Sequence, residues 1–184
     1  DGNGAVLVAS GRSGRGLSIL NCRGVTVKNL HILEYAHGIY AKGCSNLEIV
    51  DCNVTATAEV PANTIFLDVW LPFERAYGAG ILLADIVDST VSGNDLQHQM
   101  NGFLSYGCRG LKVSHNNASY CSGWGFHLYE TSDCVYEDNV ADYCCRWQPR
   151  GPRQGHMGAD AAGFLIIHNS SRNIFRRNLA RLGG

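Results

Sequence analysis

The chain has 184 residues, with 15 Lys and Arg against 16 Asp and Glu, eight Cys, only four Pro and a formal net charge of −1. A balance so close to zero excludes a nucleic-acid binder that works by bulk positive charge, and no run of about 18 apolar residues is present to cross a bilayer as a helix. Helical periodicity of useful length is also missing, so any order must come from strands.

In chain order, a glycine followed at once by an apolar residue recurs at a regular interval, at Gly16-Leu17, Gly38-Ile39, Gly80-Ile81, Gly102-Phe103, Gly125-Phe126 and Gly163-Phe164. The spacings are 22, 42, 22, 23 and 38 residues, which predicts a unit of about 22 residues with extra sequence in two intervals. Inside a unit, as in Gly38–Ile49 and Gly102–Val113, two short period-two stretches flank a polar turn. Asn94, Asn116 and Asn139 each follow their glycine by fourteen residues, and Asn178 fits with one extra turn residue. Such a column predicts side-chain amides bonded to one another from unit to unit. A third short strand is expected at 117–121 and 140–144.

Units of three short strands cannot bury a face alone, but coils stacked about 4.8 Å apart can. The expected fold is all-β, a right-handed parallel β-helix of six to seven coils. Residues 1–184 read as one domain with insertions at 58–79 and 145–162 on one side. The abrupt start at Asp1 and the end at Gly184 read as those of a piece of a longer protein, whose uncapped coil ends would favour self-association.

These Gly-apolar, turn, Asn-apolar repeats resemble the parallel β-helix repeats of the pectate-lyase-like superfamily, which contains polysaccharide lyases, uronan epimerases and glycosidases. The resemblance implies an extended polysaccharide substrate and an extracellular or periplasmic location. It does not choose a reaction, because one fold carries many chemistries.

Cysteines at equal offsets (Cys22, Cys44 and Cys108, then Cys121 and Cys144) are expected to stack as buried free thiols, since coil spacing exceeds the span of a disulfide. Charge is uneven. From Arg146 onward seven arginines face one acid, Asp160, giving +6 against −7 for the rest, which suits an anionic partner.

Alternation places Leu82, Leu104, His127 and Leu165 on the outer face of the first strand, with Ala84, Tyr106, Tyr129 and Ile167 beyond them. That row predicts an open floor between the two insertions, with His127, Tyr106, Tyr129, Glu130 and Asp85 as the catalytic candidates. Substrate contacts are expected from Trp70 in the first insertion, from Arg146, Trp147, Arg150, Arg153, His156 and Asp160 in the second, and from Lys42 on the floor. Aromatic faces stack on sugar rings and arginine forks grip carboxylates.

Three functions fit. Elimination or epimerisation at carbon 5 of a uronate needs a base, an acid and a cation, here His127, Tyr129 or Tyr106, and Arg150 or Arg153. The stretch Trp124–Glu130 is similar to the Tyr-Gly-Phe-Asp-Pro-His-Glu segment of alginate epimerase modules. His127 stands where that family has Asp and Tyr129 where it has His, so those roles do not transfer. Hydrolysis needs two carboxyls, for which Asp85 and Glu130 sit at one offset two coils apart, about 9.6 Å. A non-catalytic carbohydrate-binding or structural segment is the third. No metal and no cofactor is expected, because the histidines lack close ligand spacing and no three acids cluster on this face.

Overall fold

A computed structural model describes residues 1–61, 72–150, 154–157 and 161–183. The strands in chain order are β1 (Ala5–Val8), β2 (Arg15–Leu20), β3 (Thr26–Lys28), β4 (Leu30–Leu33), β5 (His37–Lys42), β6 (Glu48–Val50), β7 (Asn53–Thr55), β8 (Ala79–Ala84) and β9 (Thr90–Ser92). They continue with β10 (Asn101–Tyr106), β11 (Lys112–Ser114), β12 (Trp124–Tyr129), β13 (Val135–Glu137), β14 (Trp147–Arg150), β15 (Gln154–Met157), β16 (Ala162–Ile167) and β17 (Ile174–Arg176).

Three parallel sheets form the walls of a solenoid. One runs β2-β5-β8-β10-β12-β16, a second β3-β6-β9-β11-β13-β17 and a third β1-β4-β7. Register follows the repeat: Leu17, Ile39, Ile81, Phe103, Phe126 and Phe164 pair in one row, and Ser18, Tyr40, Leu82, Leu104, His127 and Leu165 in the next. Period-two alternation sends the first row inward, where Phe126 and Phe164 stack at 4.8 Å between ring centroids.

The recurring glycine has a spatial cause. A Cβ at Gly38 would lie 2.1 Å from Val54 Cγ1 and 2.7 Å from the Gly80 carbonyl oxygen; at Gly102 it would lie 2.4 Å from Ala118 Cβ and 2.7 Å from the Gly125 oxygen. Each glycine therefore lets the next coil's backbone close over it. The asparagine column is built as its spacing predicts. Asn94 donates from N and Nδ2 to Asn116 Oδ1, Asn116 likewise to Asn139, and Asn139 to Asn178.

The third strand departs from expectation beyond β7. There the wall thins to single bridges, Asn53 to Asp95, Asp95 to Asn117, Asn117 to Val140 and Val140 to Leu179. Local side-chain bonds divert the backbone: Gln97 N donates to Asp95 Oδ1 and Ser119 N to Asn117 Oδ1, closing turns that compete with a ladder. All eight cysteines are free thiols, six of them buried. Among the described residues, no helix is long and apolar enough to cross a membrane.

Candidate functional site

The outer face of the long sheet is not an open floor. Tyr40, Leu82, Leu104, Ala84, Tyr106 and Trp124 are buried there, with Val60, Phe73, Ala76 and Tyr77 from the connection between β7 and β8 packed on them. Apolar outward residues such as Leu82 and Leu104 explain the cover, since exposing them would cost roughly 1.5–3 kcal/mol each. The connection is also tied down. Arg146 donates from Nη2 to the Val60 oxygen at 3.0 Å and to that of Pro61, and Ser122 donates to Glu59 at 3.2 Å. Arg146, expected to bind substrate, is thus almost fully buried and clasps this connection.

His127 lies under this cover with no exposed surface. Its ring stacks on Trp124 at 4.6 Å and lies 5.1 Å from Tyr106. Neither ring nitrogen has a hydrogen-bond partner among the described residues. Burial, followed by the nearby His168, lowers its pKa to about 3. The expected base therefore stands as a neutral imidazole out of reach of solvent.

One coil edge stays open. A cavity of about 230 Å³ is lined by Asp85, Tyr106, Gly107, Tyr129 and Glu130 at the exit of the long sheet, and by Pro72, Phe73 and Glu74 above them. Four of the five catalytic candidates meet there; His127 does not line it. Asp85 and Glu130 occupy left-handed turn positions, φ 53° and 48°, that end β8 and β12. Backbone bonds fix those turns, from Asp85 N to the Tyr106 oxygen at 2.9 Å and from Glu130 N to the His168 oxygen at 2.9 Å.

Gly107, also left-handed at φ 60°, holds the same turn position on the coil between them. A Cβ there would lie 2.8 Å from Asp85 Oδ1, so the Asp85 carboxylate leans over Gly107 towards Glu130. This arrangement recurs at Asn21 over Gly43, Asp51 over Gly93 and Asp88 over Gly110. Sequence reasoning missed it, although the alternation of Asx and Gly at one turn offset carries the signal. Phe73 and Glu74 come from the insertion expected at 58–79, and nothing in the repeat says which part of an insertion folds back.

Around the cavity, Tyr106 and Tyr129 pack at 5.5 Å, Phe73 lies 6.2 Å from Tyr106, and Tyr129 stacks on His168 at 4.5 Å. Burial, then Tyr129, pushes the Tyr106 hydroxyl well above the usual phenol range, so it stays a proton donor. The Lys42 ammonium sits 4.5 Å from the Phe73 ring centroid, at the edge of the same group.

The remaining substrate candidates are not brought to this cavity by anything described. Trp147, Arg150 and His156 belong to the antiparallel hairpin β14–β15, with Trp147 opposite Met157 and His156 opposite Gln148; their side chains lie outside the described residues. Trp70, Arg153 and Asp160 lie wholly outside them. The basic C-terminal surface is neutralised in place. Arg172 meets Asp133 at 2.6 Å, Arg176 meets Glu137 at 2.5 Å, Arg177 meets Asp138 at 2.8 Å and Arg181 meets Asp142 at 2.6 Å, every pair 39 residues apart. No group of three or more His, Cys, Asp or Glu among the described residues is placed to hold a metal ion.

Stacked parallel coils with one turn-borne row of acids define a β-solenoid with a small cavity on its flank, lined by aromatic rings and carboxyls. The chain belongs to the right-handed β-helix family, whose sequence profile, the right-handed β-helix region, matches residues 15–181. No curated protein matches the chain.

Proposed function

We propose that this protein is a carbohydrate-active β-helix that hydrolyses a glycosidic bond with inversion, using Asp85 and Glu130. The observation that carries the reading is the cavity that holds both carboxyls on either side of a side-chain-free Gly107, under Phe73 and Tyr129. Two coils separate their backbones by about 9.6 Å, at the wide end of the roughly 6.5–9.5 Å range that leaves room for a water. One carboxyl protonates the leaving oxygen while the other takes the proton from water attacking the anomeric carbon. Phe73 and Tyr129 offer faces for a sugar ring.

Neutral sugars suit the site better than uronates. Asp85, Glu74 and Glu130 are three acids on its lining, no arginine is among the described lining residues, and the C-terminal arginines are paired with acids. Elimination or epimerisation remains the second reading. It is favoured by the unpartnered His127 imidazole beside Tyr106, and it requires the Phe73–Tyr77 segment to lift. Work on a polysaccharide would put the protein outside the cytoplasm. Other copies of the chain are the partners proposed for the coil ends, where Val6, Val8, Ile166 and Ile174 are exposed.

A panel of neutral and uronic-acid polysaccharides, read for reducing ends and for absorbance near 235 nm (about where unsaturated uronates absorb), tests the reading. Reducing ends without absorbance, lost in Glu130→Gln and Asp85→Asn, support the carboxyl pair, and cleavage restored to one of them by azide, with a glycosyl azide formed in place of the new reducing end, identifies the base. Absorbance lost in His127→Ala would replace it with elimination. Silence in both would leave a binding or structural solenoid.

A further inference from the structure

Where the third wall thins to single bridges, the turn that follows it carries a column of exposed rings. His98, Tyr120 and Tyr143 succeed one another at intervals of 22 and 23 residues and hold the same turn position on successive coils. His98 and Tyr120 stack at 4.8 Å between centroids and 9° between planes, Tyr120 and Tyr143 at 5.0 Å and 5°. Backbone bonds fix that spacing: the nitrogens of Tyr120 and Tyr143 donate at 2.8 Å to the carbonyls of Asp142 and Arg181. The rings still meet solvent, Tyr120 being 47% and Tyr143 43% exposed.

Two observations set this column apart. All three residues sit in left-handed backbone, φ 56°, 58° and 55°, a region that suits glycine or asparagine and strains a bulky side chain. Rings so exposed at strained positions add little to a core, so their chemistry and not their burial distinguishes them. Accessibility singles out the same pair. Among the described residues Tyr120 and Tyr143 are the only exposed tyrosines; Tyr40, Tyr106 and Tyr136 are buried, and Tyr35, Tyr77 and Tyr129 are half-buried.

We propose that Tyr120 and Tyr143 form a modification site, where a peroxidase acting with hydrogen peroxide couples the two phenols into a dityrosine that staples adjacent coils. Each phenol gives one electron to the oxidant and its hydroxyl proton to water, leaving two phenoxyl radicals. The radicals join through ring carbons next to the oxygens, and the hydrogens on those carbons move to the oxygens and restore both hydroxyls. Peroxide takes up the two electrons and two protons and leaves as two waters. Two radicals couple best when held side by side, and the coils hold this pair so before oxidation begins. His98 covers the other face of Tyr120, which leaves Tyr143 as the phenol stacked on it. The new bond reinforces a wall that joins these two coils through the single Asn117–Val140 bridge. The inference rests on this geometry and not on the proposed hydrolysis.

The test treats the full chain in dilute solution with a haem peroxidase and an equivalent of hydrogen peroxide. Dityrosine fluorescence is read on the single-chain band of a denaturing gel, and mass spectra are taken of digests cut after Glu130 and Glu137, which part the two tyrosines. The expected product is a single chain lighter by two hydrogens, with the Tyr120 and Tyr143 peptides joined and a yield that does not fall on further dilution. Tyr120→Phe and Tyr143→Phe keep the stacked rings but lack one phenol, so each should lose the single-chain fluorescence; Tyr129→Phe should keep it. Dityrosine found only between chains, a bond at another tyrosine, or no dityrosine once the peroxide is consumed would overturn the proposal.

Discussion

Replacing His127 with Leu should stabilise this protein, and by an amount that grows as pH falls. Leu is the residue at the paired positions one coil before and one coil after, Leu104 and Leu165. At pH 8 the substitution removes ring nitrogens buried without partners, worth about 1–3 kcal/mol. Below that, linkage adds to the gain. The imidazole has a folded pKa of about 3 against 6.5 when unfolded, so between those values the unfolded chain binds a proton that the folded chain refuses. Stability conferred on the wild type therefore falls as pH drops below about 6.5. At pH 5 the loss is about 1.5 pH units at 1.36 kcal/mol each, or about 2 kcal/mol. For a chain of this size that is a Tm gap widening by roughly 4–8 °C between pH 8 and pH 5. Paired thermal melts of wild type and His127→Leu measure it, and the other titrating groups cancel in the difference. A gap that stays flat with pH, or a Leu variant less stable than wild type, would refute the account of a buried, unpartnered neutral imidazole.

Gly102→Ala should cost about 3 kcal/mol or more, because its Cβ would meet the Gly125 carbonyl at 2.7 Å and backbone cannot step aside; chemical denaturation reads the loss. In Asn116→Ala, the backbone and side-chain donors of Asn94 lose their acceptor inside the core, with an expected cost of about 2–4 kcal/mol in the same assay. The last coil should be sensitive to acid and salt. Asp133, Glu137, Asp138 and Asp142 have pKa values held down first of all by hydrogen bonds from Arg172, Arg176, Arg177 and Arg181, so their contribution is present above the ordinary carboxylate range and lost as pH falls through the lowered values. Amide exchange at Ile174–Arg176 should therefore accelerate below about pH 4 or in about 1 M salt, while Lys112–Ser114, flanked by strands on both sides, stays protected; equal acceleration at both would refute the clamp.

Spacing alone carried the architecture. A glycine every 22 or so residues, an apolar partner after it and an asparagine fourteen on are short-range rules that each coil obeys by itself, and stacking then follows because no coil can bury its face alone. The row holding Asp85 and Glu130, and the outward placement of His127, were legible for the same reason: alternation sets direction in a strand. Exposure was not legible. Whether Leu82, Leu104 and His127 face water depends on where the residues after Thr55 fold back, and no periodicity governs that path. The C-terminal arginines read as a free basic surface because their partners lie 39 residues earlier, a distance set by the length of an intervening segment rather than by the repeat. Sequence determined what each coil is and which way its side chains point; tertiary structure decided which outward groups are covered, which charges are neutralised and which turn acids share a cavity, since those depend on contacts between segments that no local rule connects.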